Sequence, residues 1–393
     1  MTSQGVTIPP WAITPIVLNA IYYGCLSVAL PIYLTQNVGL SKVETAAFFS
    51  ISAIAAMIVN LVVVPAVRRS GYPRWMIVGT CLLAAAGLLG LTVADHPTAL
   101  VYVSGIAIVC MTMVFPLYIG MVTRVVGGDA SVVARIRQIY IVAFMCGLGL
   151  FSLASFVGLQ VPFVAAVVAV LAALSALPRA QREGSRAGNA TSMPTSTATR
   201  NGRLRIGLLT IAVVGVLLMK AADALRGIYL PVVALGSGVA QPLVSVLFLI
   251  TTVIELMVLR PLAWAGNRIG SELALVGVAG AGAISFVVPG IIDGGFALFT
   301  SQVVYAVFAA GFQLLGMVQL GRLLPSGTEG GAALYTATIQ IGAVVGAVAP
   351  LLAPGYSSAI FLIAAALCVT AGVSMLVLWL VTKAPDPHTP TGA

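Results

Sequence analysis

Long apolar stretches separated by short polar connections run along the whole chain. Breaking the sequence at its charged, Gly and Pro positions gives about twelve apolar segments of the length that crosses a bilayer. They cover approximately residues 12–35, 43–67, 74–94, 98–123, 133–158, 161–178, 206–233, 239–264, 271–291, 294–321, 330–353 and 357–382. Because apolar residues do not alternate with polar ones in these segments, the pattern predicts membrane-spanning helices and excludes an outer-membrane β-barrel.

The composition narrows the class of protein further. The chain has 393 residues, of which 60% are hydrophobic and 7% charged, and its mean hydropathy is +1.11. A soluble domain carries about 25% charged residues, so this chain has too few to cover a water-facing surface. We therefore expect an all-α membrane protein and exclude a soluble enzyme. A nucleic-acid binder is excluded on the same ground, despite the net charge of +9.

One long polar stretch interrupts the apolar pattern between the sixth and seventh segments. Residues 179–205 are rich in Ser, Thr, Asn, Gly and Arg, a composition typical of a flexible linker because it buries little apolar area. We therefore predict an N-terminal six-helix bundle over 1–178, a linker over 179–205, and a C-terminal six-helix bundle with a short tail over 206–393.

Lys and Arg residues are concentrated at alternate ends of the segments. If the N-terminus is cytoplasmic, nearly all of the 19 Lys and Arg fall in cytoplasmic connections or at the helix ends beside them. Lys42 falls in an outer connection, while Lys220 and Arg226 lie within the seventh segment. Because basic residues near span ends stay on the cytoplasmic side, we predict a multi-pass protein of the plasma membrane with both termini and the linker inside.

A short motif recurs at the same place in each half of the chain. Arg69 and Gly71 follow the second segment, and Arg268 and Gly270 follow the eighth. With six segments on each side of a cytoplasmic linker, this repeat resembles the major facilitator superfamily of transporters. The resemblance implies twelve helices in two six-helix bundles, with these four residues in gating loops.

The chain departs from the motifs of that superfamily at several positions. The Asp of the loop motif is replaced by Arg68 in the first copy and by Asn267 in the second. The gating ion pair usually credited to that Asp is therefore in doubt here. The Gly-Pro motif that marks drug/proton antiporters is also missing from the fifth segment, which reads FMCGLG over residues 144–149.

Several short stretches resemble the bacterial sugar efflux transporter family. They are residues 29–40, 137–138, 228–232, 254–256, 323–325 and 330–336. The resemblance implies a bacterial plasma-membrane protein that exports sugars, glycosides or sugar-bearing small molecules in exchange for protons. A multidrug/proton antiporter and a nutrient importer remain open, because both use the same scaffold.

Three charged residues lie within the seventh segment at intervals of three. A charged side chain at the centre of a membrane helix costs about 2.5–3.5 kcal/mol, so Lys220, Asp223 and Arg226 must face protein or a water-filled cavity. Their spacing places them along one helix face, with Asp223 within reach of both cations. Either Asp223 exchanges a proton while Lys220 and Arg226 contact substrate, or the three form a structural ion-pair ladder to a neighbouring helix.

Glu255 in the eighth segment is the second candidate for proton coupling. It has no basic residue three or four positions away, and a carboxylate inside a helix bundle can hold a proton near neutral pH. The alternative is a permanent ion pair with Arg135 or Arg137 of another helix. Arg137 and Gln138 are also candidates for substrate contact, although Arg137 lies where orientation alone predicts a basic residue.

Uncharged polar and aromatic residues within the spans complete a candidate sugar site. Sugars are bound by planar polar side chains that hydrogen-bond to hydroxyls and by aromatic rings that pack on C–H faces. The candidates for these contacts are Asn19, Tyr22, Tyr305 and Gln313, with Gln302 and Tyr335 as further residues of the same kind. Each of them can instead form an interhelical hydrogen bond or an interfacial aromatic contact.

The sequence carries no recognisable cofactor site. It has no phosphate-binding loop of the Walker type and no close Cys or His spacing typical of a metal site. We therefore expect transport to be passive or driven by an ion gradient. The expected partners are a small-molecule substrate, protons and the lipid bilayer, and the expected state is a monomer.

Overall fold

The chain folds into helices throughout the part that the structure describes. A computed structural model describes residues 10–70, 73–92, 98–115, 117, 130–158, 160–176, 202–292, 294–324 and 327–383, and among these no strand is found. The α-helices are α1 (Pro10–Ile32), α2 (Lys42–Ile58), α3 (Val64–Ser70), α4 (Pro73–Gly90), α5 (Thr98–Val109), α6 (Ala130–Val157), α7 (Val161–Ala176), α8 (Gly202–Gly236), α9 (Gln241–Ile269), α10 (Ser271–Ile291), α11 (Gly295–Leu323), α12 (Gly327–Val348) and α13 (Ala359–Lys383).

Several of these helices continue through short turns that are not α-helical. A π-helical turn extends α1 over Tyr33–Asn37, and another over Val59–Val63 joins α2 to α3. A 3₁₀ turn over Cys110–Met113 extends α5, and one over Ala349–Leu352 follows α12. The stretch from α2 to α3 is therefore one continuous helix, and its residues 42–67 are long and apolar enough to cross a membrane.

Within the described residues, nine helices are long and apolar enough to cross a membrane. They are Ile13–Asn37, Lys42–Val67, Gln138–Val157, Ile206–Gly236, Gln241–Ile269, Ser271–Ile291, Gly295–Leu323, Leu334–Leu352 and Ala359–Lys383. Three shorter apolar helices accompany them, over Trp75–Gly90, Ala99–Met113 and Val161–Ser175. Each overlaps one of the twelve segments predicted from the sequence, and the crossing of the membrane by the three shorter helices stays a prediction.

The predicted linker over 179–205 falls mostly outside the described residues. Its last four residues, 202–205, are described and already belong to α8, which is 35 residues long. The helix therefore starts before the apolar pattern does. The division of the chain into two six-helix bundles stays a prediction.

Buried apolar side chains form two clusters, and apolar side chains also cover the outside. One cluster draws on α1 to α7 and includes Tyr22 and Phe48; the other is built mainly from α8 to α13, with parts of α1 and α6, and includes Phe308. On the exterior, Phe156 is 72% exposed and Phe296 83% exposed. A large apolar exterior of this kind is typical of a surface that contacts lipid.

Helix α12 packs closely against α8 through two glycines spaced four residues apart. A Cβ on Gly346 would lie 2.2 Å from the carbonyl oxygen of Ala221. A Cβ on Gly342 would lie 2.7 Å from the carbonyl oxygen of Leu217 and 2.9 Å from Cβ of Lys220. Only glycine allows the two backbones to approach this closely. The contact therefore fixes the turn of α8 that carries Lys220.

Among the described residues, two hydrogen bonds from side chains to backbone carbonyls join early helices to late ones at the same end of the molecule. Lys42, at the start of α2, donates from Nζ to the carbonyl oxygen of Ala353 at 2.8 Å. Ser152, near the end of α6, donates from Oγ to the carbonyl oxygen of Pro242 at 3.1 Å. The basic residues of the sequence predict that this end faces outward.

We expect Lys42→Ala to loosen this end. The substitution removes a hydrogen bond from a charged donor, which contributes about 1 kcal/mol at a partly exposed position. Amide hydrogen exchange should therefore become faster over residues 42–46 and 353–358. The control is Lys383→Ala, which removes an exposed ammonium at the C-terminal end of α13. This variant should leave amide exchange in both segments unchanged. Wild-type exchange rates in Lys42→Ala would show that the bond does not hold the two helices together.

Candidate functional site

Asp223 lies on α8, and side chains from two helices bind its carboxylate. Lys220, one turn earlier, places Nζ 2.5 Å from Asp223 Oδ2. Tyr305 on α11 donates its hydroxyl hydrogen to Asp223 Oδ1. The Lys220 side chain is 25% exposed and that of Asp223 17% exposed. Both carboxylate oxygens are thus engaged, and protonation of Asp223 would weaken its ion pair with Lys220.

Arg226, one turn after Asp223, is buried and bound to two other helices. Its Nε donates to Gln302 Oε1 on α11 at 2.9 Å, and its Nη2 donates to Thr251 Oγ1 on α9 at 3.0 Å. Its guanidinium carbon lies 4.3 Å from the ring centre of Phe248 and 4.0 Å from that of Tyr305. Arg226 therefore joins α8 to α9 and α11 through neutral partners, and whether the triad is a structural ladder or a substrate site stays open.

Tyr305 on α11 interacts electrostatically with charged groups of two other helices. It lies within electrostatic reach of Asp223 and Arg226 on α8 and of Glu255 on α9. Glu255 is partly buried. The two acids that the sequence singles out for proton coupling therefore lie around one buried tyrosine, which is only 2% exposed.

A cavity of about 230 Å³ lies beside this group of charges. Its lining residues are Lys220, Phe312, Gln313, Met317, Tyr335 and Ile339. Lys220 belongs both to the cavity wall and to the ion pair with Asp223, so it connects the two. The wall offers a cation, amide and hydroxyl groups, and aromatic rings, which suit a small polar molecule with a hydroxylated ring.

Asn19 and Tyr22 lie among the first helices and are fully buried. Asn19 donates from Nδ2 to the carbonyl oxygen of Met111 at 3.2 Å, and Tyr22 donates from its hydroxyl to that of Ile108 at 3.3 Å. Both bonds hold α1 against α5 and its 3₁₀ turn. These two candidates thus form interhelical hydrogen bonds and do not join the group around Asp223.

Several candidates from α6 and from the first gating loop lie wholly or partly outside the described residues. Gln138 is exposed on α6, while for Arg137 on α6 and Arg69 on α3 only the helical backbone is described. Gly71 lies outside the described residues.

In the second gating loop, Arg268 lies with its guanidinium carbon 5.0 Å from the ring centre of Trp264. Gly270 has a φ of +91° at the junction of α9 and α10, a conformation that glycine adopts without strain.

Phe248 and Thr251 belong to the site but were not among the candidates from the sequence. They lie seven and four residues before Glu255, so all three share one face of α9. That spacing is the signal that could have identified them. Gln302 was recognised only as one polar residue among several, although it is the main partner of Arg226.

The described residues contain no group of three or more His, Cys, Asp or Glu side chains that could hold a metal ion. The arrangement places a cation, Lys220, on the cavity wall and two carboxylic acids, Asp223 and Glu255, within electrostatic reach of Tyr305.

Comparisons with known proteins give a family and a fold. The sequence matches the description Major Facilitator Superfamily over residues 16–292. No curated protein sequence matches it significantly. Among solved structures, the nucleoside transporter NupG is 16% identical, with a TM-score of 0.74 over 94% of this chain and 98% of that one.

Two further solved structures show the same fold. A structure addressing substrate recognition in proton dependent oligopeptide transporters is 14% identical, with a TM-score of 0.64 over 94% of this chain and 96% of that one. Tetrameric PepTSo2 is 15% identical, with the same TM-score and the same coverage of both chains. At such identities the similarity extends to the fold alone.

Proposed function

The chain belongs to the Major Facilitator Superfamily, and from this premise we propose that it exports sugars, glycosides or sugar-bearing small molecules in exchange for protons. It would do so as a monomeric twelve-helix transporter of a bacterial plasma membrane, with both termini in the cytoplasm. Two six-helix bundles would alternate between inward- and outward-open states around a site near the membrane midplane. The likeness of short sequence stretches to the sugar efflux transporter family supports the substrate class.

One observation carries the proposal: Lys220 lines the cavity and is paired with Asp223. While Asp223 is ionised, the pair holds Lys220 in place, and its remaining N–H groups can donate to substrate oxygens. When Asp223 binds a proton, Lys220 loses its partner and the cavity loses an ordered donor. Proton and substrate then favour opposite states of the site, which is the condition for exchange.

The remaining residues have supporting roles in this proposal. Gln313 and Tyr335 on the cavity wall would contact substrate hydroxyls or ring faces. Arg226 is engaged by other side chains, so it would act on Asp223 through its charge rather than by direct contact with substrate. Arg137 and Gln138 would contribute from α6, and Arg268 and Gly270 from the cytoplasmic loop.

Two other functions fit the same scaffold. A nutrient importer is one, and a nucleoside transporter such as NupG has a comparable fold; a nucleoside is itself a sugar-bearing molecule. A multidrug/proton antiporter is the other. Against the latter, the cavity wall presents a cation, which would repel the cationic groups common among drug substrates.

Counterflow in proteoliposomes tests the substrate class. Vesicles loaded with a candidate compound are diluted into the same compound at tracer level, and uptake of the tracer is followed for glycosides, nucleosides, dipeptides and cationic drugs. We expect glycosides to support counterflow and Lys220→Met to abolish it. Counterflow with cationic drugs or dipeptides alone would contradict the proposed substrate, and counterflow retained in Lys220→Met would contradict the proposed site.

We expect Glu255→Gln to abolish transport driven by a pH gradient while leaving counterflow intact. An amide cannot exchange a proton at neutral pH but keeps the shape of the side chain, so substrate binding should survive. The measurement is accumulation of substrate against its gradient in the same vesicles. Accumulation at the wild-type level would assign proton coupling to Asp223 alone.

A further inference from the structure

Gln302 is buried in the middle of the charged group, and all its polar atoms are engaged. Its Oε1 accepts hydrogen bonds from Arg226 and, at 3.3 Å, from Thr251 Oγ1. Its Nε2 donates to the carbonyl oxygen of Leu298 at 3.1 Å and to Ser301 Oγ at 3.0 Å. Because both acceptors of Nε2 lie on α11 itself, Oε1 is directed at the guanidinium. The side chain is 3% exposed, and with its amide reversed Nε2 would face the N–H donors of Arg226.

The chemical nature of this partner matters for the charge of Arg226. Among the described residues, the groups that bond to the guanidinium or stack on it are an amide, a hydroxyl and two aromatic rings, all of them neutral. A buried arginine is more commonly paired with a carboxylate, which would cancel its charge at short range. Here a neutral acceptor satisfies the guanidinium geometrically and leaves its positive charge available to other groups.

Asp223 is the group positioned to use that charge. It lies one turn before Arg226 on α8 and within its electrostatic reach. Within the described part of the chain, the other charged or titratable groups that act on Asp223, or on the Tyr305 bonded to it, are Lys220 on α8, Glu255 on α9, Tyr305 itself on α11 and Cys368 on α13. Lys220 and Arg226 are the two cations that act on Asp223 in this group, and of the two only Lys220 lines the cavity.

We propose that Gln302 is a positioning residue for proton exchange, which holds Arg226 beside Asp223 and, being neutral, leaves the charge of Arg226 to act on that carboxylate. The inference rests on the proposed function, since it assigns a partner to the proton site. A cation nearby favours the ionised form of a carboxylate. The identity of residue 302 thereby sets the pH range over which the transporter works.

The test is Gln302→Glu, which changes one atom of the side chain and adds a negative charge opposite Arg226. We expect proton-driven transport to remain, with the pH of half-maximal rate moved upward by about 1 unit, because Asp223 would then keep its proton to higher pH. Arg226→Gln, which removes the cation itself, should move it in the same direction. The double variant should shift at least as far as Arg226→Gln does, because the added carboxylate and the removed guanidinium both make the surroundings of Asp223 more negative.

Gln241→Glu is the matched control for the added charge. It makes the same chemical change at an exposed position at the start of α9, outside the contacts of Arg226, so the pH of half-maximal rate should stay at the wild-type value. Folding of each variant is checked by size-exclusion chromatography in detergent. If Gln302→Glu does not fold, Arg226→Gln carries the test of the charge by itself.

The outcomes separate the inference from the proposed function. If folded Gln302→Glu keeps the wild-type pH profile, or if Arg226→Gln does, the inference is overturned while proton-coupled transport by the wild type stands. A shift to lower pH would overturn it equally. If the wild-type protein shows no proton-driven transport, the proposed function itself fails, whatever the variants do.

Discussion

Asp223→Asn is expected to remove the ability of the protein to move substrate against its gradient. A proton moving down one pH unit supplies about 1.4 kcal/mol, enough for roughly a tenfold substrate gradient when one proton is exchanged. An amide cannot bind and release a proton. The ratio of substrate concentrations that one pH unit supports across the membrane should therefore fall from about ten to about one, which is no gradient. Accumulation in proteoliposomes with an imposed pH difference measures this directly.

The structural reason is the double engagement of Asp223. Lys220 and Tyr305 each occupy one carboxylate oxygen, so the charge of this side chain orders both the cavity wall and the core. Asparagine keeps the acceptor for Tyr305 but loses the ion pair. Counterflow should therefore persist, with weaker apparent affinity because Lys220 is less ordered.

Glu44→Gln is the matched control for Asp223→Asn. Glu44 caps the start of α2 by accepting from the backbone nitrogen of Ser41 at 2.8 Å, and it is partly exposed, far along the chain from the charged cluster. The control should retain the full substrate gradient. If Asp223→Asn also retains it, the proton is carried elsewhere and the exchange scheme built on Lys220 is wrong.

Gly346→Ala is expected to destabilise the protein and to impair transport together. The added methyl group would stand 2.2 Å from the carbonyl oxygen of Ala221 and 2.9 Å from the Cβ of Ala224. Backbone atoms cannot move aside as a side-chain tip can, so α12 must shift away from α8. Overpacking of this kind costs about 1–3 kcal/mol, which lowers the midpoint of thermal unfolding in detergent.

Gly280→Ala offers the same chemical change with the opposite expectation. Gly280 lies within α10, and a Cβ there would meet no atom within 4 Å. Alanine is the better helix former, so this variant should unfold at the same temperature or slightly higher. A Gly346→Ala protein as stable as Gly280→Ala would show that α8 and α12 do not pack as closely as described.

The helices were largely predictable from the sequence because lipid imposes a simple rule on them. A spanning segment must be long, apolar and internally hydrogen-bonded, and these requirements can be read from the apolar pattern. Ends of helices were less predictable: α8 begins at Gly202, within residues assigned to the linker. Polar residues can continue a helix beyond the apolar segment, and the apolar pattern has no signal for that.

The candidate site was predictable in part. Intervals of three along α8 predicted that Asp223 reaches both Lys220 and Arg226, and Lys220 does pair with it. Arg226 instead donates to Gln302 and Thr251, which are 76 and 25 residues away along the chain. Which of several polar residues meets a buried cation depends on how whole helices pack, and one sequence carries no direct record of that packing.

The most direct measurement of the central claim uses inverted membrane vesicles with an acidified lumen. Glycosides, cationic drugs and buffer are added in turn to vesicles containing the wild-type protein or Asp223→Asn, and a fluorescent dye records the pH difference. We predict that glycosides dissipate the gradient in the wild-type vesicles and not in those with Asp223→Asn. A gradient unaffected by every glycoside, or dissipated equally by both proteins, would contradict proton-coupled sugar export through Asp223.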